Sequence, residues 1–461
     1  MAATSGSNGP SLVKGLSTWD GALITIGSIL GTGIFITTAD IARVMPHAGL
    51  ILLVWVVGGV LTMAGALSYA ELGAMFPRAG GLYHYLKEAY GPLWGFLFGW
   101  ASFFVIQTGG IAALAVGFGE YLGSFVPFFS TGHILWSVPA GSWTWTISGG
   151  QIAGAAAIIL LTAINYVGLR EGASVQNFVT VVKVGSLVAL AGLGLFVPAP
   201  VSPAWTAPLP AGNMLVAFGV GMIAVLWTFD GWYGLTASAG EMRDPERGLP
   251  WGLILGTLVV TVLYTLMNVV YIRALPVGAM AETSRIGETA ASVLFGPIGA
   301  RLVSLAVLVS TFGCISSTIL WTSRIYLPMA QDGLFFPALA RIHPRHRTPG
   351  ASVLAQGAWA TLLTLSGTYE QLYTYVVFAG MAFHAATGLA VFVLRRTQPT
   401  TPRPYRTWGY PWVPALFVLS MLLMIGNTLK EKPVESFVGM GLVALGLPAF
   451  WWWRRAAATR S

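Results

Sequence analysis

Two glycine-rich runs hold the groups of this sequence that can do chemistry in an apolar setting. The first is Gly27-Ser28-Ile29-Leu30-Gly31-Thr32-Gly33-Ile34-Phe35 and the second is Trp227-Thr228-Phe229-Asp230-Gly231-Trp232-Tyr233-Gly234. A glycine inside a helix costs about 1 kcal/mol relative to alanine, so the triplet Gly27, Gly31 and Gly33 favours a break. Where no water is at hand, a broken helix leaves amides and carbonyls that must find other partners. Free amides at Thr32 and Gly33, opening a second half-helix, suit a carboxylate, helped by the positive end of the helix dipole. Free carbonyls around Gly27–Ile29 and Trp227–Asp230 suit an ammonium group. An α-amino acid requires that juxtaposition of donors and acceptors. Close helix packing through small residues would explain the first glycines equally well. The second break, with an ionisable carboxylate at Asp230, favours a site. An Asp in the middle of an apolar span costs about 3 kcal/mol unless it is paired or hydrated.

Lys183 is the remaining charge placed deep in an apolar stretch. It stands about ten residues past its helix start, roughly 15 Å along the axis, which is far for snorkelling to the interface. Glu71 and Glu120 fall near helix ends and read as interfacial. His47, His84, His133, His343, His346 and His384 form no metal-ligand spacing, so no metal and no cofactor is assigned. There is no Walker-type nucleotide loop. Arg243–Arg247 reads as a solvated loop, and Trp451–Trp453 followed by Arg454 and Arg455 as an interfacial anchor.

The elements that must position these groups are membrane helices. Of 461 residues, 55% are hydrophobic and only 9% charged, against about 25% charged in an ordinary soluble domain. That balance excludes a basic nucleic-acid binder despite the net charge of +8. Spans need about 20 apolar residues. Twelve emerge, near 20–43, 47–75, 92–122, 147–168, 173–198, 211–239, 251–275, 288–330, 351–367, 370–396, 411–430 and 436–454. The eighth is long enough to include a short helix before the span. Alternate connections carry 17 and 6 Lys and Arg residues, which places both termini on the cytoplasmic side. The polar start, MAATSGSNGPSLVKGLSTWD, has no apolar core before a cleavage site, so no cleavable signal peptide is expected. Interruptions at matching positions of two five-helix halves point to an inverted-repeat carrier with a midplane site. The expected division is a tail at 1–19, a first repeat at 20–198, a second at 199–396, two further helices at 397–454 and a tail at 455–461.

The run Gly27–Phe35, together with residues 69–100, 229–250 and 310–337, resembles the amino acid–polyamine–organocation superfamily. Within it the closest resemblance is to the L-type amino acid transporters and their bacterial relatives, over about residues 15–450. The resemblance implies an all-α integral membrane protein of LeuT type, with twelve helices, a 5+5 inverted repeat and discontinuous helices 1 and 6. It implies that Gly31, Thr32 and Gly33 bind a substrate carboxylate. Carbonyls at Ile29, Trp227 and Asp230 would bind the amino group, with Trp227 gating the site from outside. Eukaryotic members commonly have Gly where Asp230 stands; its carboxylate is open to contacting the amino group, capping a half-helix or facing a hydrated cleft. Lys183 takes the place that a sodium ion fills in sodium-coupled relatives, which implies sodium independence, with Lys183 supporting helix 1 or taking part in proton coupling. Eukaryotic members join a heavy chain through a cysteine in the loop at 123–146. That loop has none here, and the single cysteine, Cys314, falls in helix 8, so no disulfide-linked partner is expected.

The expectation is therefore a sodium-independent carrier of neutral L-amino acids in a bacterial-type cell membrane, working by exchange or proton coupling. Trp227 and the small residues around it lean towards small or medium substrates. A carrier of polyamines or cationic amino acids would need carboxylates beyond Asp230. A non-transporting amino acid sensor would usually add a long soluble tail, whereas this chain stops at Ser461.

Overall fold

The computed structural model describes residues 14–140, 143–167, 172–198, 200–203, 205, 209 and 212–458, with side chains left undescribed at 140, 143–144, 172–179 and 456–458. Residues 1–13 and 459–461 of the expected tails, Arg170 and much of the Pro198–Pro210 connection lie outside them. The described chain is almost wholly helical. Nine helices are long and apolar enough to cross a membrane, or ten when one bent pair counts as a single span. Two other helices, Gly172–Phe196 and Gly350–Thr364, occupy the stretches read as spans five and nine.

The bent pair is the first expected break. Thr18–Ile29 and Gly33–Val44 meet at 43° across residues 30–32. The first half-helix starts with a reciprocal cap: Ser17 accepts from the Asp20 amide, while Asp20 accepts from the Ser17 amide at 2.8 Å. The second expected break is also present. Met214–Phe229 ends at Asp230, and after a turn the chain resumes as a 3-10 segment, Gly234–Glu241. Gly231 makes that turn at φ +91°, a conformation that suits glycine.

The other spans match the hydropathy reading to within several residues. The twelfth, expected as one helix, is two, Pro433–Ala444 and Gly446–Ala458. The long helix Ile286–Gln331 leaves helical geometry at Gly296, just before Pro297, which separates the expected short helix from the span. A helix at Leu82–Tyr90 and an antiparallel hairpin, Ile134–Ala140 with Trp143–Ser148, stand in connections that were read only as loops.

Each face has its own closure. On the face carrying the amino terminus, the amides of Gly15 and Leu16 donate to the Glu241 carbonyl at 2.9 and 3.0 Å. The Glu241 carboxylate pairs with the buried Arg324, whose Nη2 donates at 3.0 Å. Nearby, Glu71 accepts from Arg395 at 2.7 Å and from the Thr407 amide at 2.7 Å, a satisfied buried carboxylate rather than a lone interfacial one. The opposite face holds an open cavity of about 390 Å³, lined by Asp40, Arg43, Glu120, Gln151, Tyr369 and Glu370 among others.

Candidate substrate site

The two breaks lie against each other, which fixes the site. A side chain at Gly33 would put a Cβ 2.7 Å from Thr228 Oγ1 and 3.0 Å from Thr228 Cα, so only glycine permits this approach. At Gly231 a Cβ would fall 2.6 Å from the Ser28 carbonyl oxygen. Tyr264 ties the breaks together, its hydroxyl lying 3.1 Å from the Ile29 carbonyl and 3.2 Å from that of Thr228.

Between them is a small cavity of about 30 Å³ whose lining includes Ile29, Gly31, Gly33, Trp227 and Asp230. Five of the six residues expected to hold substrate therefore line one cavity. Thr32 sits beside it and reaches the Tyr369 hydroxyl at 3.3 Å through Oγ1. No acceptor among the described residues takes the amide of Thr32 or Gly33, as expected at the start of a half-helix. The carbonyls are more engaged than the sequence suggested. Gly27 and Leu30 each accept from Lys183 Nζ at 3.2 Å, and Ser28 accepts from the Cys314 thiol at 3.4 Å. Trp227 accepts from the Asp230 amide at 3.0 Å. Ile29 accepts from the Gly31 amide at 2.8 Å as well as from Tyr264, so an incoming ammonium would share that carbonyl, while Trp227 keeps a second lone pair for it.

The Asp230 carboxylate lies beside the Gly231 amide and the Tyr233 hydroxyl. Tyr233 in turn accepts from Gln107 Nε2 at 2.9 Å. Asp230 also borders a second cavity of about 30 Å³ that is lined by His384, Thr62 and Trp232; His384 Nδ1 lies 2.8 Å from the Tyr69 hydroxyl. Lys183 is buried, and its ammonium caps the carbonyl end of the first half-helix at the break instead of snorkelling.

Trp227 stands between the central cavity and the open one. Its indole N–H donates to the Tyr369 hydroxyl at 2.8 Å, and its ring stacks on Tyr373 at 5.9 Å and 15°. Sequence reasoning missed Gln107, Tyr264, Tyr369 and Tyr373. Their types are ordinary in apolar spans, and no local pattern sets them apart.

Residues 16–445 match the amino acid permease family. The chain belongs to that family. The permease is 30% identical over 448 residues to the serine/threonine exchanger SteT of Bacillus subtilis, covering 95% of this chain and 96% of the relative. It is 31% identical to the human b(0,+)-type amino acid transporter 1, covering 93% and 85%. With the mouse large neutral amino acids transporter small subunit 2 it shares 28%, covering 97% and 82%. The superfamily resemblance is thereby confirmed. The permease is a multi-pass membrane protein of a transporter family, not an enzyme.

Proposed function

We propose that this permease moves neutral amino acids across the cell membrane by sodium-independent alternating access, exchanging one for another. The observation that carries this reading is the pair of unpartnered amides at Thr32 and Gly33 at the edge of a small cavity that the Ile29, Trp227 and Asp230 backbone also lines. The substrate carboxylate docks at Gly31, Thr32 and Gly33, at a half-helix amino terminus. The ammonium docks at the carbonyls of Ile29, Trp227 and Asp230, with the Asp230 carboxylate beside it. Among the described residues Asp230 is the only carboxylate lining the central cavity, which supports a zwitterion over a polyamine. The names of the relatives, an exchanger and two amino acid transporters, support the same class.

In this reading the chain makes twelve spans, counting Gly172–Phe196 and Gly350–Thr364, with both termini in the cytoplasm. Residues 20–198 and 199–396 form inverted repeats, and 397–454 adds two spans. The cavity at Asp40 and Glu370 is then the outer vestibule, with Trp227 and Tyr369 as its floor. Lys183 supplies a fixed charge in place of a coupling cation. No disulfide-linked heavy chain is needed, since 123–146 contains no cysteine. Proteoliposomes test the coupling: uptake of labelled alanine should be equal in sodium and in choline, and a strict sodium requirement would contradict the role given to Lys183.

A further inference from the structure

The central cavity is short as well as narrow. At about 30 Å³ it has room for only two or three water molecules. Its vestibule end is Trp227. Its far end is Trp321, one helical turn before Arg324 of the opposite closure. Trp321 is buried and has nowhere to retreat. The indole lies flush on Gly234, where a Cβ would sit 2.9 Å from Cε2 and 3.1 Å from Nε1. It also packs edge-on against Tyr233 at 5.8 Å and 80°. Tyr233 is held in turn by Gln107, whose Nε2 donates to its hydroxyl at 2.9 Å. The end wall is therefore a fixed aromatic pair, while Gln107 and Thr318 make the side walls polar.

We propose, on the basis of the amino acid reading above, that Trp321 sets the length limit of the substrate side chain. The permease then serves small amino acids, namely glycine, alanine, serine and threonine, and excludes leucine-sized and aromatic ones. The breaks hold the amino and carboxyl groups, so the side chain has only the space in front of Trp321. A single methylene against a pocket wall alters discrimination by about 10–200-fold, so alanine and leucine are well separated.

The experiment uses the full chain in proteoliposomes loaded with unlabelled alanine. Counterflow of labelled alanine is competed with glycine, alanine, serine, threonine, leucine and phenylalanine. Leucine and phenylalanine should compete at least about 10-fold more weakly than alanine or serine. Trp321→Ala should shift the leucine-to-alanine ratio towards leucine by a similar factor. Gly110→Ala works from the other wall, because its Cβ meets only the Trp227 ring at 3.8 Å and so fits the fold; it should weaken threonine relative to glycine. If Trp321→Ala does not fold, the wild-type ranking and Gly110→Ala decide the matter. Wild-type protein that exchanges leucine as well as alanine overturns the length limit and leaves the amino acid reading standing. An unchanged ratio in folded Trp321→Ala overturns it too. Counterflow of no amino acid at all overturns the underlying reading and the length limit with it.

Discussion

At the scale of single residues, the account turns on Lys183 and Gly33. Lys183 was legible because it is the one cation far inside an apolar window, and its cost there demands a partner. The two carbonyls it holds lie on one side of the first break, Gly27 in the last turn of the first half-helix and Leu30 at its cap. A hydrogen bond from a charged donor contributes about 1.5–3 kcal/mol. Lys183→Met should therefore cut transport at least about tenfold while leaving membrane insertion intact, as checked by uptake against the yield of monodisperse protein. Unchanged uptake would mean that the ammonium does not support the break. At Gly33 the contact with Thr228 leaves no space for a side chain. Gly33→Val should abolish binding of labelled substrate in folded protein, and retained affinity would remove Gly33 from the site. Tyr369 was not legible: its bond to Thr32 spans 337 positions, and no local spacing reports so distant a meeting.

Among the elements, the broken helices were the easiest to read, because glycine spacing and a mid-span Asp are local signals. The hairpin at Ile134–Ser148 was missed because its strands are short and sit between two much stronger helical signals. The division of the last span at Leu445 is marked by Gly446 and Pro448, a local signal that the continuous hydropathy of 436–454 outweighed. The closure on the amino-terminal face was hidden as well. Glu241 and Arg324 each look like an ordinary loop or helix-end charge, yet they pair across 83 positions. Removing one partner of a buried pair costs about 3–5 kcal/mol if the other charge stays buried. Glu241→Gln should therefore lower the population of the closed form at least about tenfold. Cys314 reports this directly, being the only cysteine and part of the cavity lining. Its labelling by a membrane-permeant maleimide should quicken about tenfold in the variant and slow again with saturating alanine. An unchanged rate would show that the pair does not hold the closure.

For the molecule as a whole, class and span boundaries followed from composition and hydropathy, since a bilayer demands long apolar helices whatever the site does. The arrangement of those helices did not follow. The meeting of the two breaks, the aromatic floor of the vestibule and the ion pair beneath the cavity are long-range contacts. Together they describe a protein closed on both sides of the central cavity. The closure above the site is thin, consisting of Trp227, Tyr369 and Tyr373, with an open cavity over it. The most direct test is uptake of labelled alanine and serine into proteoliposomes, with and without unlabelled amino acid inside. The account predicts rapid uptake only into loaded vesicles, in choline as in sodium. Uptake into empty vesicles at the same rate would contradict exchange, and no uptake of any amino acid, with polyamines carried instead, would contradict the proposed substrate class.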